Sequence, residues 1–107
     1  MDSVTCLVSQ IRQADRHFKK ASHQLTLLNN KIASTRCHYD RARRDNRRKI
    51  AWKRSMQLTT YEGVRQMYSE YAGRKCQEIQ HLCDALWEVA GLDYEDVMID
   101  EHQEVDL

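Results

Sequence analysis

The stretch of sequence that decides the fold is residues 4–42, VTCLVSQIRQADRHFKKASHQLTLLNNKIASTRCHYDRA. Its apolar side chains follow one another in alternating steps of three and four residues, which is the heptad repeat of a coiled-coil helix. Large residues occupy the first core position of the heptads, and alanine often occupies the second. We call this stripe the heptad seam, and its members are Val4, Leu7, Ile11, Ala14, Phe18, Ala21, Leu25, Leu28, Ile32, Tyr39 and Ala42.

The heptad seam predicts a helical partner, because an apolar stripe on a long helix has to be covered by another helix. A partner chain is favoured, since the helical segment expected after Gly73 is too short to cover every heptad. The alternative is an internal hairpin or bundle in which the chain covers its own seam. A parallel homodimer is disfavoured, because Lys31 would face Arg36 of the second copy and alanine buries little surface. We therefore expect a coiled-coil protein partner that is heteromeric or antiparallel.

One long helix is expected from about Ser3 to about Ala72, because proline is absent and nothing before residue 63 breaks a helix outright. The seam fails beyond residue 43, and a second apolar stripe, displaced by one position, follows it. Such a displacement requires rotation or a local change of winding. A bend at Asp45-Asn46 or at Gly63 is therefore the main alternative to a straight helix.

Two glycines divide the remaining sequence. Gly73 is expected to end the long helix and Gly91 a short second helix, since glycine adopts the left-handed conformation at a helix end at little cost. Asp93 can then cap a third short helix that begins at Tyr94. The predicted fold is elongated and all-α: a long heptad-patterned coiled-coil helix in residues 1–72, then one or two short helices in 73–107.

Charge is distributed unevenly along the chain, although the net charge is only +1. Charged residues make up 31% of the sequence and aromatic residues 7%, which is typical of long amphipathic helices. Residues 36–54 contain the basic patch: Arg36, Arg41, Arg43, Arg44, Arg47, Arg48, Lys49, Lys53 and Arg54. The carboxyl-terminal segment contains the acidic tail: Asp93, Glu95, Asp96, Asp100, Glu101, Glu104 and Asp106.

The basic patch has two interpretations. It can be a footprint for the phosphates of a nucleic acid or for an acidic protein surface, where arginine forms bidentate contacts. It can equally be a solvated stretch of a long helix, because charged runs on such helices are common. The order of the segments differs from that of a basic-region leucine zipper, since here the basic segment follows the heptads.

The acidic tail also has two interpretations. Its acids alternate with apolar residues such as Leu92, Val97 and Met98, a pattern that suits docking in a groove of a partner. The alternative is recognition of the basic patch, within one chain or between two, since the two segments have opposite charge. Exposed single pairs contribute only about 0–1 kcal/mol, so the apolar residues would have to add burial.

The sequence lacks the residue spacings that catalytic and metal-binding sites require. Cys76 and Cys83 are about two helical turns apart and no C-x-x-C occurs, whereas zinc needs converging ligands. There is no glycine-rich phosphate loop and no nucleophile elbow, so we expect no enzyme activity, no cofactor, no metal and no small-molecule substrate.

No apolar run is long enough to cross a membrane. Dispersed cysteines, expected as free thiols, predict an intracellular location, cytoplasmic or nuclear.

These features together predict a binding protein. The leading hypothesis is a non-catalytic coiled-coil adaptor or scaffold subunit, whose heptad seam pairs with a partner helix in a multiprotein complex. The alternative is a nucleic-acid-binding protein that uses the arginine-rich helix 36–54. The two hypotheses differ in the surface that binds, and mutations in the seam or in the basic patch would separate them.

Overall fold

The computed structural model of the chain describes residues 3–105, and describes the side chains of residues 3–99. Over this range the fold consists of three α-helices: α1 (Ser3–Arg44), α2 (Arg48–Ala90) and α3 (Tyr94–Val105). The described residues contain no β-strand. The predicted all-α class, with a long heptad-patterned helix at the amino terminus, is confirmed.

The boundary of the first helix differs from the prediction. The helix expected to continue to about Ala72 ends at Arg44, at the alternative bend site Asp45-Asn46. Asn46 has a φ of 55°, which is the left-handed conformation that asparagine adopts more readily than most residues. The Arg47 amide donates to the Ala42 carbonyl at 2.9 Å, and the Asn46 amide donates to the Arg43 carbonyl at 3.2 Å. These are the two hydrogen bonds of a Schellman ending, with asparagine in the position that glycine usually takes.

The second helix is much longer than predicted. α2 continues through Gly73, the expected helix end, and stops only at Ala90. A glycine in a helix interior destabilises the helix by about 1 kcal/mol relative to alanine. Packing of the α2 residues before and after Gly73 can offset this cost. The predicted ending at Gly91 is confirmed: this residue has a φ of 65°, and its amide donates to the Trp87 carbonyl at 2.8 Å.

α3 begins where the sequence predicts. The Asp93 carboxylate accepts a hydrogen bond from the Asp96 amide at 3.0 Å, and the Asp96 carboxylate accepts one from the Asp93 amide at 3.0 Å. This reciprocal pair is a capping box, in which two amides without helical partners are satisfied at once. The acids also lie in the first turn of α3, where the helix dipole favours negative charge.

The described residues form two compact units. The terminal unit consists of residues 3–20 and 72–105, and the hairpin unit is Ala21–Tyr71. In the terminal unit, the start of α1, the end of α2 and α3 enclose a buried core. The core side chains are Ile11, Leu86, Val97 and Met98, and those packed around them are Val4, Leu7, Val8, Leu82, Cys83 and Tyr94.

The hairpin unit is an antiparallel pair made by the end of α1 and the start of α2. Arg36 contacts Glu62 and Asn29 contacts Arg65, so residue numbers increase along α1 as they decrease along α2. The buried residues of this unit all lie on α1: Ala21, Ile32, Thr35 and Ala42. Small residues at such positions let two helices approach closely. No helix formed by the described residues is long and apolar enough to cross a membrane.

Candidate functional site

The heptad seam is covered within the chain. Its members Ile11, Ala14, Ala21, Ile32 and Ala42 are buried. The other members are half-buried: Val4, Leu7, Phe18, Leu25, Leu28 and Tyr39. This arrangement is the alternative to a partner chain, an internal hairpin or bundle in which the chain covers its own seam. A partner helix could reach the buried members only if α1 separated from the helices packed on it, so pairing through the seam stays a prediction.

The basic patch lies where the hairpin unit reverses direction. We call residues 39–55, which comprise the last turns of α1, the loop and the first turns of α2, the hairpin tip. Arg54 is half-buried, and the other members of the patch are exposed. The basic residues at the end of α1 suit its dipole, whereas Arg48 and Lys49 stand at the start of α2, whose first turn contains no acid. The start of α2 therefore concentrates positive charge that an anionic partner would compensate.

Few members of the basic patch are neutralised within the chain. Arg36 lies 3.2 Å from the Glu62 carboxylate, and Arg54 donates to the Gln57 side chain at 2.9 Å. The Arg43 guanidinium lies 5.8 Å from the centroid of the Tyr39 ring. Among the described side chains, no carboxylate lies within 4.0 Å of the remaining members, which are Arg41, Arg44, Arg47, Arg48, Lys49 and Lys53.

An open groove of about 410 Å³ lies between α1 and α2 at the hairpin tip. Its floor includes the small residues Ala42 and Ala51, and its rim includes the exposed indole of Trp52. The remaining lining residues are Tyr39, Arg43, Asn46, Arg47, Arg48 and Ser55. The groove thus combines guanidinium groups with aromatic and aliphatic surface, a combination common at protein and nucleic-acid interfaces.

A second apolar surface follows α2 away from the groove. Trp52 and Met67 are each 69% exposed and Met56 is 52% exposed. At 3.6 residues per turn these side chains point within about 60° of one another. Half-buried Leu58 and Tyr61 lie on nearly the opposite side of α2. We call the exposed surface of Trp52, Met56 and Met67 the outer apolar face.

The sequence reasoning missed the outer apolar face, although a signal was present. Trp52, Met56, Gly63 and Met67 are separated by steps of four, seven and four, so the pattern repeats every eleven residues and stays on one side of a helix. The pattern is hard to see because Trp52 lies among basic residues, where the first seam fails. The three large residues form a separate stripe on α2.

Two apolar residues of the acidic tail are used inside the terminal unit, whereas Leu92 and Ile99 are exposed. Val97 and Met98 are buried in its core, so they are not free anchors for a partner groove. Asp93 and Asp96 cap α3, and Glu95 is exposed. The remaining acids lie outside the described part: the side chains of Asp100, Glu101 and Glu104, and the whole of Asp106.

A polar cluster attaches α3 to α1 in the terminal unit. The Tyr94 hydroxyl donates to Asp15 Oδ1 at 2.5 Å, and the Arg12 guanidinium donates to the Val97 carbonyl at 3.3 Å. Lys19 Nζ forms an ion pair with Asp15 Oδ2 at 2.7 Å. Asp15 is 3% exposed. The cluster thus joins α3 to α1 by two hydrogen bonds.

The four cysteines are free thiols, and Cys6, Cys37 and Cys76 are exposed. Burial raises the pKa of the Cys83 thiol, and the nearby Asp84 and Asp93 carboxylates raise it further. Among the described side chains, no group of three or more His, Cys, Asp or Glu residues is placed to hold a metal ion.

The chain matches no protein-family model, no curated protein and no solved structure. The hairpin unit has two exposed surfaces that could bind a partner, the basic patch and the outer apolar face.

Proposed function

We propose that the chain is a non-catalytic adaptor or scaffold subunit that works inside the cell, in the cytoplasm or nucleus, and binds a protein partner through the outer apolar face. The observation that carries this proposal is the exposure of Trp52, Met56 and Met67 on one side of α2. Large apolar side chains exposed together on one side of a helix are a feature of protein interaction sites. Tryptophan, methionine and arginine are also the residue types enriched in the cores of protein interfaces.

The proposal keeps the predicted adaptor function and changes the surface that performs it. The heptad seam is occupied by the chain's own helices, with Ile11 and Ile32 buried. Binding through the seam would first expose these side chains to water, at about 25 cal/mol per Å² of apolar surface. Binding through the outer apolar face requires no such opening. Burial of Trp52, Met56 and Met67 against a partner would instead contribute favourably.

Site-specific photo-crosslinking in living cells tests the adaptor proposal. A photoreactive amino acid replaces Met56, and a matched control replaces Ser34, an exposed residue of α1 in the same unit. The expected result is one or a few discrete protein adducts at position 56 that disappear when Trp52 is replaced by Ala. Adducts that form equally at both positions, or at neither, would contradict a protein-binding outer face.

Nucleic-acid binding at the hairpin tip is the second candidate function. The groove places Arg43, Arg47 and Arg48 beside the exposed indole of Trp52. Guanidinium groups that follow a phosphate backbone and an aromatic ring that stacks on a base are the two elements of single-strand recognition. This candidate accounts for Trp52 and the arginines, but it gives no role to Met56 and Met67.

Anisotropy with a labelled oligothymidylate of about 20 nucleotides tests this second candidate. Affinity should fall steeply between about 50 and 200 mM salt, because phosphate contacts release counterions. Replacing Arg43, Arg47 and Arg48 by Gln should lower the salt slope by about 2, at roughly 0.7 for each lost contact with a single strand. An unchanged slope would mean that these arginines do not contact the phosphates.

A further inference from the structure

We infer that the partner segment is an acidic amphipathic helix that lies along the outer apolar face, with its acidic end at the hairpin tip. This inference rests on the proposed adaptor function, because it names the partner of the same surface. Four observations support it: the spacing of the face, a glycine in its centre, the orientation of two threonines and the charge at its two ends.

The outer apolar face has the dimensions of a helix-packing surface. Trp52 and Met67 are separated by about 22 Å along α2, at about 1.5 Å per residue. The apolar side chains follow a narrow line parallel to the helix axis, with Met56 between them. A second helix packs along such a line by placing its own apolar residues at heptad spacing. The flexible thioethers of two methionines also adapt readily to a partner's side chains.

Gly63 interrupts this line at a position where the fold does not require glycine. A Cβ added there would meet nothing within 4 Å, and the backbone is ordinary helix. Since glycine destabilises a helix interior relative to alanine, another reason for its presence is needed. With no side chain, Gly63 leaves a depression between Met56 and Met67. A large apolar residue of a partner helix can fill that depression and approach the α2 backbone closely.

Two threonines make the face more apolar than its sequence suggests. The Thr59 hydroxyl donates to the Ser55 carbonyl at 3.2 Å, and the Thr60 hydroxyl donates to the Met56 carbonyl at 3.1 Å. Both hydroxyls are therefore satisfied within α2 and need no partner. Their position between Trp52 and Gly63 continues the surface without adding a polar group that a docked helix would have to satisfy.

The charge along the face changes from positive to negative. Lys49 and Lys53 flank Trp52 at the hairpin tip, and no described carboxylate lies within 4.0 Å of either lysine. At the far end, Glu70 stands one turn beyond Met67 and accepts a hydrogen bond from Gln66 at 3.3 Å. A partner helix with acids near Trp52 and none near Glu70 complements this pattern. The charge order therefore specifies how the partner helix is aligned on α2.

Other occupants of the face account for less. The acidic tail of this chain buries its apolar residues Val97 and Met98 in the terminal core, which leaves Leu92 and Ile99 as the exposed large apolar side chains of its described part. A nucleic acid would use Trp52 and the basic patch but would leave Met56 and Met67 exposed. Complementary charge and apolar spacing are both satisfied by an acidic amphipathic helix from another protein.

The test uses the full chain and a fluorescein-labelled designed peptide of about 18 residues, long enough to cover the face. The peptide has leucine at heptad spacing, glutamates in the half that meets the hairpin tip, and glutamines in the other half. Both chain directions are synthesised, so that the acidic end can meet the tip whichever way the helices run. Saturable binding by anisotropy is expected, and replacing Trp52 by Ala should weaken it by roughly 30-fold, the effect of an interface hot spot.

Gly63 and Gly73 provide a matched pair of variants. Both are exposed glycines in α2, and an added Cβ meets nothing within 4 Å at either position, but Gly73 lies off the outer apolar face. Gly63→Gln should weaken peptide binding about tenfold or more by filling the depression, as overpacking does in a tight contact. Gly73→Gln should leave binding unchanged. Both variants should fold, which circular dichroism checks. Equal effects of the two substitutions would overturn the inference.

Three control ligands decide the chemistry of the partner. A peptide with lysine in place of glutamate, and one with the glutamates moved to the half that meets Glu70, should each bind at least tenfold more weakly; equal binding of either contradicts the charge argument. An oligothymidylate that binds through Trp52 when the acidic peptide does not would assign the face to nucleic acid. Light scattering that shows a dimer sensitive to Gly63→Gln would assign it to a second copy.

The two proposals fail in distinguishable ways. If photo-crosslinking at Met56 captures a partner but the acidic peptide does not bind, the adaptor function stands and the inferred partner chemistry is wrong. If position 56 gives no adduct and no peptide binds, the adaptor function itself fails.

Discussion

Asp15 is the buried carboxylate among the described side chains, and its contact with Tyr94 joins α1 to α3. Replacing Tyr94 by Phe removes the hydroxyl donor. The Asp15 carboxylate then stays buried without that hydrogen bond. We expect the free energy of unfolding to fall by about 1–3 kcal/mol, as for a hydrogen bond to a charged group. Urea denaturation followed by circular dichroism measures the change. Tyr68→Phe is the control, and a similar loss in that variant would contradict a specific role for Tyr94.

Cys83 differs from the other cysteines in its surroundings. Burial and two neighbouring carboxylates raise the pKa of its thiol. Near neutral pH, a smaller fraction of this thiol is therefore thiolate than of a cysteine thiol with the ordinary pKa. Because only the thiolate reacts, iodoacetamide should modify Cys83 more slowly near neutral pH than the exposed Cys6, Cys37 and Cys76. Mass spectrometry of quenched samples gives the four rates. A Cys83 rate equal to the others would contradict the raised pKa of its thiol.

At the scale of the elements, the turn between α1 and α2 depends on Asn46. Its positive φ costs most L-residues about 1–2 kcal/mol, whereas glycine adopts this conformation without a Cβ clash. Asn46→Ala should therefore lower the free energy of unfolding by about 1 kcal/mol, and Asn46→Gly should preserve or raise it. Thermal or urea denaturation of both variants measures the difference. If alanine is tolerated as well as glycine, the left-handed turn is not what ends α1.

The helices could be predicted only in part, because some determinants are local and others are not. The periodicity of Ile11, Ala14 and Ile32 reports burial directly, so the heptad seam was found from sequence. Periodicity does not say which helix covers a stripe, and the segment after Gly73 alone is too short to cover every heptad. The error arose at Gly73, since a single glycine ends a helix only when tertiary packing does not continue it.

The candidate site was predicted less well than the fold. The basic patch was identified because charge is visible in sequence, and the structure places it at the hairpin tip. The outer apolar face was missed, because the exposure of Met56 and Met67 depends on which side of α2 faces α1. That choice is a tertiary property, visible in the half-buried Leu58 and Tyr61 on the opposite side of α2.

At the scale of the whole molecule, the self-covered seam predicts that the purified chain folds without a partner. Lys31, which would oppose Arg36 in a parallel dimer, lies 5.7 Å from the Tyr61 ring centroid of its own chain, and Arg36 pairs with Glu62. We expect a strongly helical monomer whose unfolding midpoint does not change with protein concentration. An obligate dimer would instead become more stable as concentration rises, by mass action. Analytical ultracentrifugation measures the oligomeric state. Denaturation over a roughly hundredfold range of protein concentration measures whether the unfolding midpoint changes.

A core substitution separates this outcome from self-association through the seam. Leu86 is fully buried in the terminal unit but does not belong to the heptad seam, whereas Ile11, equally buried, does. In a self-contained monomer, Leu86→Ala and Ile11→Ala should each lower the free energy of unfolding by about 2–5 kcal/mol without any effect on the oligomeric state. If the seam instead pairs two copies, Ile11→Ala alone should shift the protein toward monomer. A concentration-dependent midpoint that only the Ile11 variant abolishes would return the binding function from the outer apolar face to the seam.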